Sequence, residues 1–228
     1  DAIATVQAFR EMGVAIDGPN DGRVVIQGVG RDGLHAPSGP LYMGNSGTSM
    51  RLLSGILAGQ RFDTELTGDS SLSKRPMRRV ADPLALLGAQ IQTSGDGTPP
   101  IRIQGGQALV GCHTDLTVAS AQVKSALLLA GIYAKGETSV TEPAPTRDHT
   151  ERMLAGFGYP VTRERATARL QGGGRLTGCH IDVPSDISSA AFFLVAASIV
   201  PGSDVRIEHV GMNPTRIGVI EILNRMGA

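Results

Sequence analysis

Tryptophan is missing and aromatic residues make up only 4% of the 228 residues, so the core must be built from closely packed Ala, Leu, Val and Ile. Neither sign of charge is in excess: Lys+Arg and Asp+Glu number 21 each and the pI is near 7.1. No broad field therefore gathers a nucleic-acid backbone or an acidic membrane, and any anion must be captured locally. No apolar run approaches the length of a membrane span, no signal pattern stands at the N-terminus, and there are only two cysteines. Together these predict a soluble, cytoplasmic protein. The chain starts directly on the helical pattern DAIATVQAFREMGV, with Asp1 at the N-cap, and the expectation is an excised segment of a longer polypeptide. Also missing are G-x-x-x-x-G-K-[ST], G-x-S-x-G and histidines paired at helical spacing, so nucleotide hydrolysis, serine hydrolysis and zinc chemistry lose their usual warrants.

What is present is a repeat. AFREMGV, LALLGAQ, MLAGFGY and ILNRMGA are each an apolar helical pattern closed by a glycine suited to the left-handed position after a helix: Gly13, Gly88, Gly158 and Gly227. They recur about every 70 residues, which marks one structural unit used several times. After each of the first three glycines come short alternating strands, including Arg23 to Gln27, Ile101 to Gln104 and Ala168 to Gln171. A loop of small polar residues, an Ala/Leu-rich helix and another strand complete the order. The three loops, GNSGTSMR, VASAQVKS and VPSDISSA, are one device repeated.

Ser, Asn or Asp before a helix accepts hydrogen bonds from the free amides of its first turn. Capping alone accounts for each loop taken singly. Gly47 and its small neighbours also leave the amides approachable, and loops related by symmetry gather on one face, where several helix N-termini make an anion site. Arginines stand near by. Arg51 sits at the junction of the first loop with its helix. After the strand Thr64 to Thr67, GDSSLSKRPM carries Lys74 and Arg75, and APTRDHTERM carries Arg147 ahead of a helix. Asp148 and Glu151 there read as a D-x-x-E capping box, which has no need of Arg147. A guanidinium aimed at helix N-termini suits a phosphate or carboxylate, although each arginine alone also fits a solvated surface.

Two tempting signals fail. GVGRDG (Gly28 to Gly33) follows a strand, but Pro37 and Pro40 forbid the helix that a dinucleotide fold needs, so it is a turn. Cys112 with His113 and Cys179 with His180 offer metal-type ligands, yet they occupy equivalent positions of different repeats, which symmetry places on separate sheets.

GNSGTSMR, LTGDSSLSKRPM, VASAQVKSALLLAG, TRDHTERML and MNPTRIGVIEILNRMGA, in that order, resemble the 5-enolpyruvylshikimate-3-phosphate synthase family (3-phosphoshikimate 1-carboxyvinyltransferases) in its class II-like bacterial form, over essentially the whole chain. The resemblance implies an α/β fold: an inside-out α/β prism built from βαβαββ-type repeats, with helices buried in the middle, here incomplete. It implies transfer of the enolpyruvyl group of phosphoenolpyruvate to the 5-hydroxyl of shikimate 3-phosphate, with release of phosphate and without metal or organic cofactor. By matching positions, Gly47 leaves room for phosphoenolpyruvate, Asn45 borders that space, and Arg75 binds phosphoenolpyruvate. Ser120, Ala121 and Gln122 hold shikimate 3-phosphate, Gln122 also touching the second substrate, and Arg147 contacts shikimate 3-phosphate. Ala121 stands where many relatives have serine, so any contact there comes from the backbone.

The family's N-terminal PGSKS-type motif and the C-terminal half with its acid/base carboxylates are not in this sequence, which resembles the middle of a chain about twice as long. Residues 1–183 are expected to form most of one domain and 184–228 to open a second. The isolated chain is expected to be inactive and at best a weak binder of shikimate 3-phosphate, its partners being the two substrates and the remainder of its own polypeptide. With Gly47 unblocked, the full enzyme is expected to be open to glyphosate. Two other readings stay open: the sister transferase acting on UDP-N-acetylglucosamine, which usually carries a reactive cysteine where GDSSLSKRPM has none, and a non-catalytic scaffold.

Overall fold

The computed structural model describes residues 2–228; the capping expected of Asp1 lies outside the described residues. Helix α1 (Ala2–Glu11) and the hairpin β1 (Ala15–Asn20) and β2 (Arg23–Gln27) come first. Two copies of one unit follow. The first runs β3 (Leu41–Tyr42), α2 (Gly47–Ala58), β4 (Thr64–Thr67), α3 (Arg78–Leu86), β5 (Gln90–Gln92) and β6 (Ile101–Gln104). The second runs β7 (His113–Asp115), α4 (Ala121–Gly131), β8 (Glu137–Thr141), α5 (His149–Gly156), β9 (Val161–Glu164) and β10 (Thr167–Gln171). Helices α6 (Ile187–Ile199) and α7 (Gly218–Arg225) end the chain, with a single parallel bridge between Ser185 and Val210 where a further unit would set its first two strands. No helix among the described residues is long and apolar enough to cross a membrane.

The two units have the same four-stranded sheet, in the orders β3-β4-β6-β5 and β7-β8-β10-β9. In each, the first pair is parallel and the others antiparallel. A parallel pair needs a crossover, which α2 and α4 supply, whereas the last two strands of each unit are directly consecutive. This is the βαβαββ repeat read from the sequence. All four expected glycine caps form, Gly13, Gly88, Gly158 and Gly227 having φ of 89°, 96°, 72° and 89°. In each, the glycine N–H and the next N–H turn back to carbonyls three and five residues earlier, as in Gly88 to Ala85 and Ala89 to Leu84. The GVGRDG segment forms no helix.

Strand alternation sends Leu66, Ile101 and Ile103 inward from the first sheet, while Glu65 and Arg102 pair on its outer face at 2.7 Å. Val140, Ala168 and Leu170 do the same in the second sheet. Between the sheets, α2 and α4 are buried along most of their length. They touch closely: a Cβ on Gly55 of α2 would lie 2.1 Å from the carbonyl oxygen of Ala126 in α4, so only glycine permits this crossing. The close approach sets the N-termini of α2 and α4 side by side, and this is what builds the site.

Candidate functional site

The three small-residue loops cap three helices as expected. Ser46 accepts from the Ser49 amide at 3.1 Å, Ser120 from Val123 at 3.4 Å and Asp186 from Ser188 at 2.9 Å, opening α2, α4 and α6. Gly47 is the first residue of α2 and Ala121 the first of α4.

From the α2 end, a hydrogen-bonded chain reaches α4. Asp69, two residues after β4, accepts from the Asn45 side-chain amide nitrogen on both carboxylate oxygens, at 3.1 and 2.9 Å, and from the backbone amides of Leu72 and Ser71 at 2.7 and 3.0 Å. The Leu72 amide, the Asn45 side chain, the Ser71 amide and nearby Arg75 hold its carboxyl below the usual range against a smaller opposing effect of burial. With Asn45 so oriented, its oxygen accepts from Arg75, which follows the 3-10 turn Leu72–Lys74. A Cβ on Gly47 would lie 3.1 Å from Arg75 Nη1 and 2.9 Å from Arg51 Nη1, so the glycine is the gap between two guanidinium groups. Arg51 is buried; it donates to Gln122 Oε1 at 2.7 Å, to the Gly47 carbonyl at 3.3 Å and to that of Pro76 at 3.3 Å. Gln122 in turn donates to Thr48 Oγ1 at 2.8 Å, which fixes its amide orientation.

Burial, then Arg79, then Arg75 push the Arg51 pKa down to about 10, so it is still a cation at neutral pH. No carboxylate of the described residues lies within ion-pair distance of Arg51, Arg75 or Arg147. Crowded cations without counter-charges favour an anionic ligand.

From the α4 end, Ser120, Ala121, Gln122 and Arg147 line one open cleft of about 520 Å³ together with Thr215 and Arg216. Its lining contains no carboxylate and no histidine, so this surface is equipped to bind anions, not to move protons. Gln122 belongs to both the network and the cleft. All seven residues singled out from the sequence, Asn45, Gly47, Arg75, Ser120, Ala121, Gln122 and Arg147, are thereby brought into one continuous region.

The capping box is a correction. Asp148 is at the N-cap of α5 but its side chain caps nothing; it accepts from Arg152 at 2.9 Å, from Arg163 and from Asn213 at 2.7 Å. Glu151 does not reach back to the cap either, because its carboxylate lies 2.7 Å from the ammonium of buried Lys124. Charged partners from other elements outcompete the local amides. The two GCH triplets are separate: His113 bonds Ser139 and Asp115, while the Cys179 thiol donates to the Gly156 carbonyl.

The family model described as EPSP synthase (3-phosphoshikimate 1-carboxyvinyltransferase) matches residues 1–228. The chain belongs to the EPSP synthase family. It is 68% identical over its whole length to the 3-phosphoshikimate 1-carboxyvinyltransferase of Alkalilimnicola ehrlichii and 64% identical to that of Nitrosococcus oceani, covering 51% of each. The chain thus spans about half the length of the curated relatives it matches. The solved EPSP synthase of Acinetobacter baumannii superimposes with a TM-score of 0.91 at 66% identity, covering all of this chain and 51% of that one. The fold is accordingly the enolpyruvyl transferase fold.

Sequence reasoning raised Arg51 without giving it a partner, and missed Asp69, Lys124, Glu142, Thr215 and Arg216 altogether. Asp69 was within reach, since an aspartate accepting the amides two and three residues on is a local turn signal. Thr215 is held by Asn213 two residues before it, whereas Lys124, Glu142 and Arg216 have partners far along the chain and leave no local trace in this EPSP synthase segment.

Proposed function

We propose that this chain provides the substrate-gripping part of a 3-phosphoshikimate 1-carboxyvinyltransferase, which moves the enolpyruvyl group of phosphoenolpyruvate to the 5-hydroxyl of shikimate 3-phosphate and releases phosphate. The observation that carries the reading is the unbroken run from Asn45 and Arg75 through Gly47 and Arg51 to Gln122, continuing into the Arg147 cleft, with Arg51, Arg75 and Arg147 outside ion-pair distance of any carboxylate of the described residues and only Arg216 paired, with Asp186 at 2.9 Å. Phosphoenolpyruvate lies at the α2 end, against Gly47, Asn45 and Arg75. Shikimate 3-phosphate lies against Ser120, the Ala121 backbone, Gln122 and Arg147. Gln122 stands between them, so two anions are held side by side and their mutual repulsion is offset by guanidinium groups and helix amides. Holding the reactants in contact accounts for much of the acceleration such a reaction needs.

Acid/base groups and further cations come from the rest of the polypeptide, residues 1–183 making most of one domain and 184–228 opening the next. The enzyme works in the cytoplasm on small anions, without nucleic acid or membrane, in keeping with the balanced charge. The test is calorimetric titration of shikimate 3-phosphate into the chain completed to full length with the remaining segments of the A. ehrlichii relative. Arg147→Ala should weaken binding by about 1.5 to 3 kcal/mol, the worth of a charge-assisted contact. Binding unchanged by that substitution, or no turnover by the completed enzyme, would sink the assignment.

A further inference from the structure

We infer that Lys124 is a positioning residue for Arg147, acting through the buried carboxylates of Glu142 and Glu151; the inference rests on the assignment of Arg147 to shikimate 3-phosphate above. Lys124 is 1% exposed, Glu142 6% and Glu151 3%. The ammonium lies 2.7 Å from Glu142 Oε2 and 2.7 Å from Glu151 Oε1. Glu142 directly follows β8, and Glu151 is in the first turn of α5. The loop between them carries Arg147. One side chain of α4, two residues beyond Gln122, therefore ties both stems of that loop to the helix that lines the cleft.

Neighbouring contacts tighten the same loop. Thr146 donates to Glu142 Oε1, and Asp148 is held by Arg152, Arg163 and Asn213. The hydroxyls of Ser125 and Thr150 meet at 2.7 Å. Arg147 is thus fixed at the residue before it and the residue after it, while its own guanidinium has no carboxylate partner and faces the cleft. The backbone is set before a ligand arrives, which lowers the ordering cost of binding.

Stability does not account for the triad. Two carboxyl groups share one amine in a dry place, and apolar residues of similar volume there are commonly as stable or more so. What apolar residues cannot supply is the short-range fixing of three elements at one point, through a hydrogen bond from Lys124 to Glu142 and a close charge contact to Glu151, whose buried oxygens make no hydrogen bond among the described residues.

The experiment uses the full-length enzyme with Lys124→Met, Glu142→Leu and Glu151→Met combined. The expected result is a melting temperature close to the parent's, shikimate 3-phosphate affinity reduced roughly ten- to a hundredfold, and an almost unchanged KM for phosphoenolpyruvate at saturating shikimate 3-phosphate. Arg147→Ala added to the triple variant should then cost at most about threefold more, far less than in the parent, because the two changes remove the same contact. Glu151→Gln, which keeps the side-chain shape but removes one charge of the triad and lies outside the cleft lining, keeps the inference exposed should the triple variant fail to fold: it should weaken shikimate 3-phosphate binding with folding intact. Parental affinity in the folded triple variant or in Glu151→Gln overturns the inference while leaving the Arg147 assignment standing. Parental affinity in Arg147→Ala alone removes that assignment, and the inference with it.

Discussion

Gly47 stands between two guanidinium groups, and a methyl there would crowd Arg51 Nη1 at 2.9 Å and Arg75 Nη1 at 3.1 Å. Its contacts are the far ends of flexible side chains, so Gly47→Ala should fold normally, and alanine in a helical first turn is at least as favourable as glycine. What must give way is the placement of Arg75 and Arg51. We expect KM for phosphoenolpyruvate to rise about tenfold or more, the scale on which one extra methyl is felt in a fitted pocket. Binary affinity for shikimate 3-phosphate should hold, and inhibition by glyphosate, which resembles the phosphoenolpyruvate side, should weaken in parallel. Steady-state kinetics beside a thermal melt decide it; an unchanged KM would remove Gly47 from the substrate space. Asp69 works one step behind, fixing Asn45 and the turn that delivers Arg75.

At the scale of the element, α5 depends on Asp148. Burial pushes that carboxyl up, but the Asn213 hydrogen bond, Arg152 and Arg163 together outweigh it and hold the group below its ordinary value. The folded state therefore prefers the ionised form. This contribution is complete above the unfolded pKa of about 3.9 and is lost as the pH falls through the lower folded value. Melting the parent and Asp148→Asn side by side should show the parent more stable at pH 7, with the gap closing below about pH 4. A gap of constant size down to strongly acidic pH would mean that Asp148 does not act through its charge. Asn213 belongs to the segment after residue 183, so this contact also joins α5 to the proposed second domain.

For the whole molecule, α6 is the informative surface. Its sequence ISSAAFFLVAASI has no charged residue, yet Phe192 is 80% and Phe193 63% exposed. Just past the end of α7, Met226 is 76% exposed. A helix apolar all round belongs in a core, as α2 and α4 do. We expect the rest of the full-length enzyme to cover it. Hydrogen exchange should show α6 amides protected in the full-length protein and fast in residues 1–228 alone, where an apolar dye also binds. Equal protection in both would refute the division near Pro184.

The repeat was legible in the sequence because its signals are short-range. A left-handed glycine, a capping hydroxyl and an alternating strand each act within about five residues, so AFREMGV, LALLGAQ, MLAGFGY and ILNRMGA announce themselves without a partner. The strands Arg23–Gln27, Thr64–Thr67 and Ile101–Gln104 form with the ends read from pattern alone. Asp148 and Glu151 misled for the same reason: their spacing spells a local cap, but Arg163 and Asn213 claim one and Lys124 the other. Sequence alone determined the unit and its period, and it singled out residues proposed to meet an anion. Only the tertiary structure decided that Arg51 would meet Gln122 and that Lys124 would meet Glu142 and Glu151, because the first pairing exists only once α2 crosses α4 at Gly55 and the second only once α4 packs against β8 and α5, which leaves buried charges close to one another.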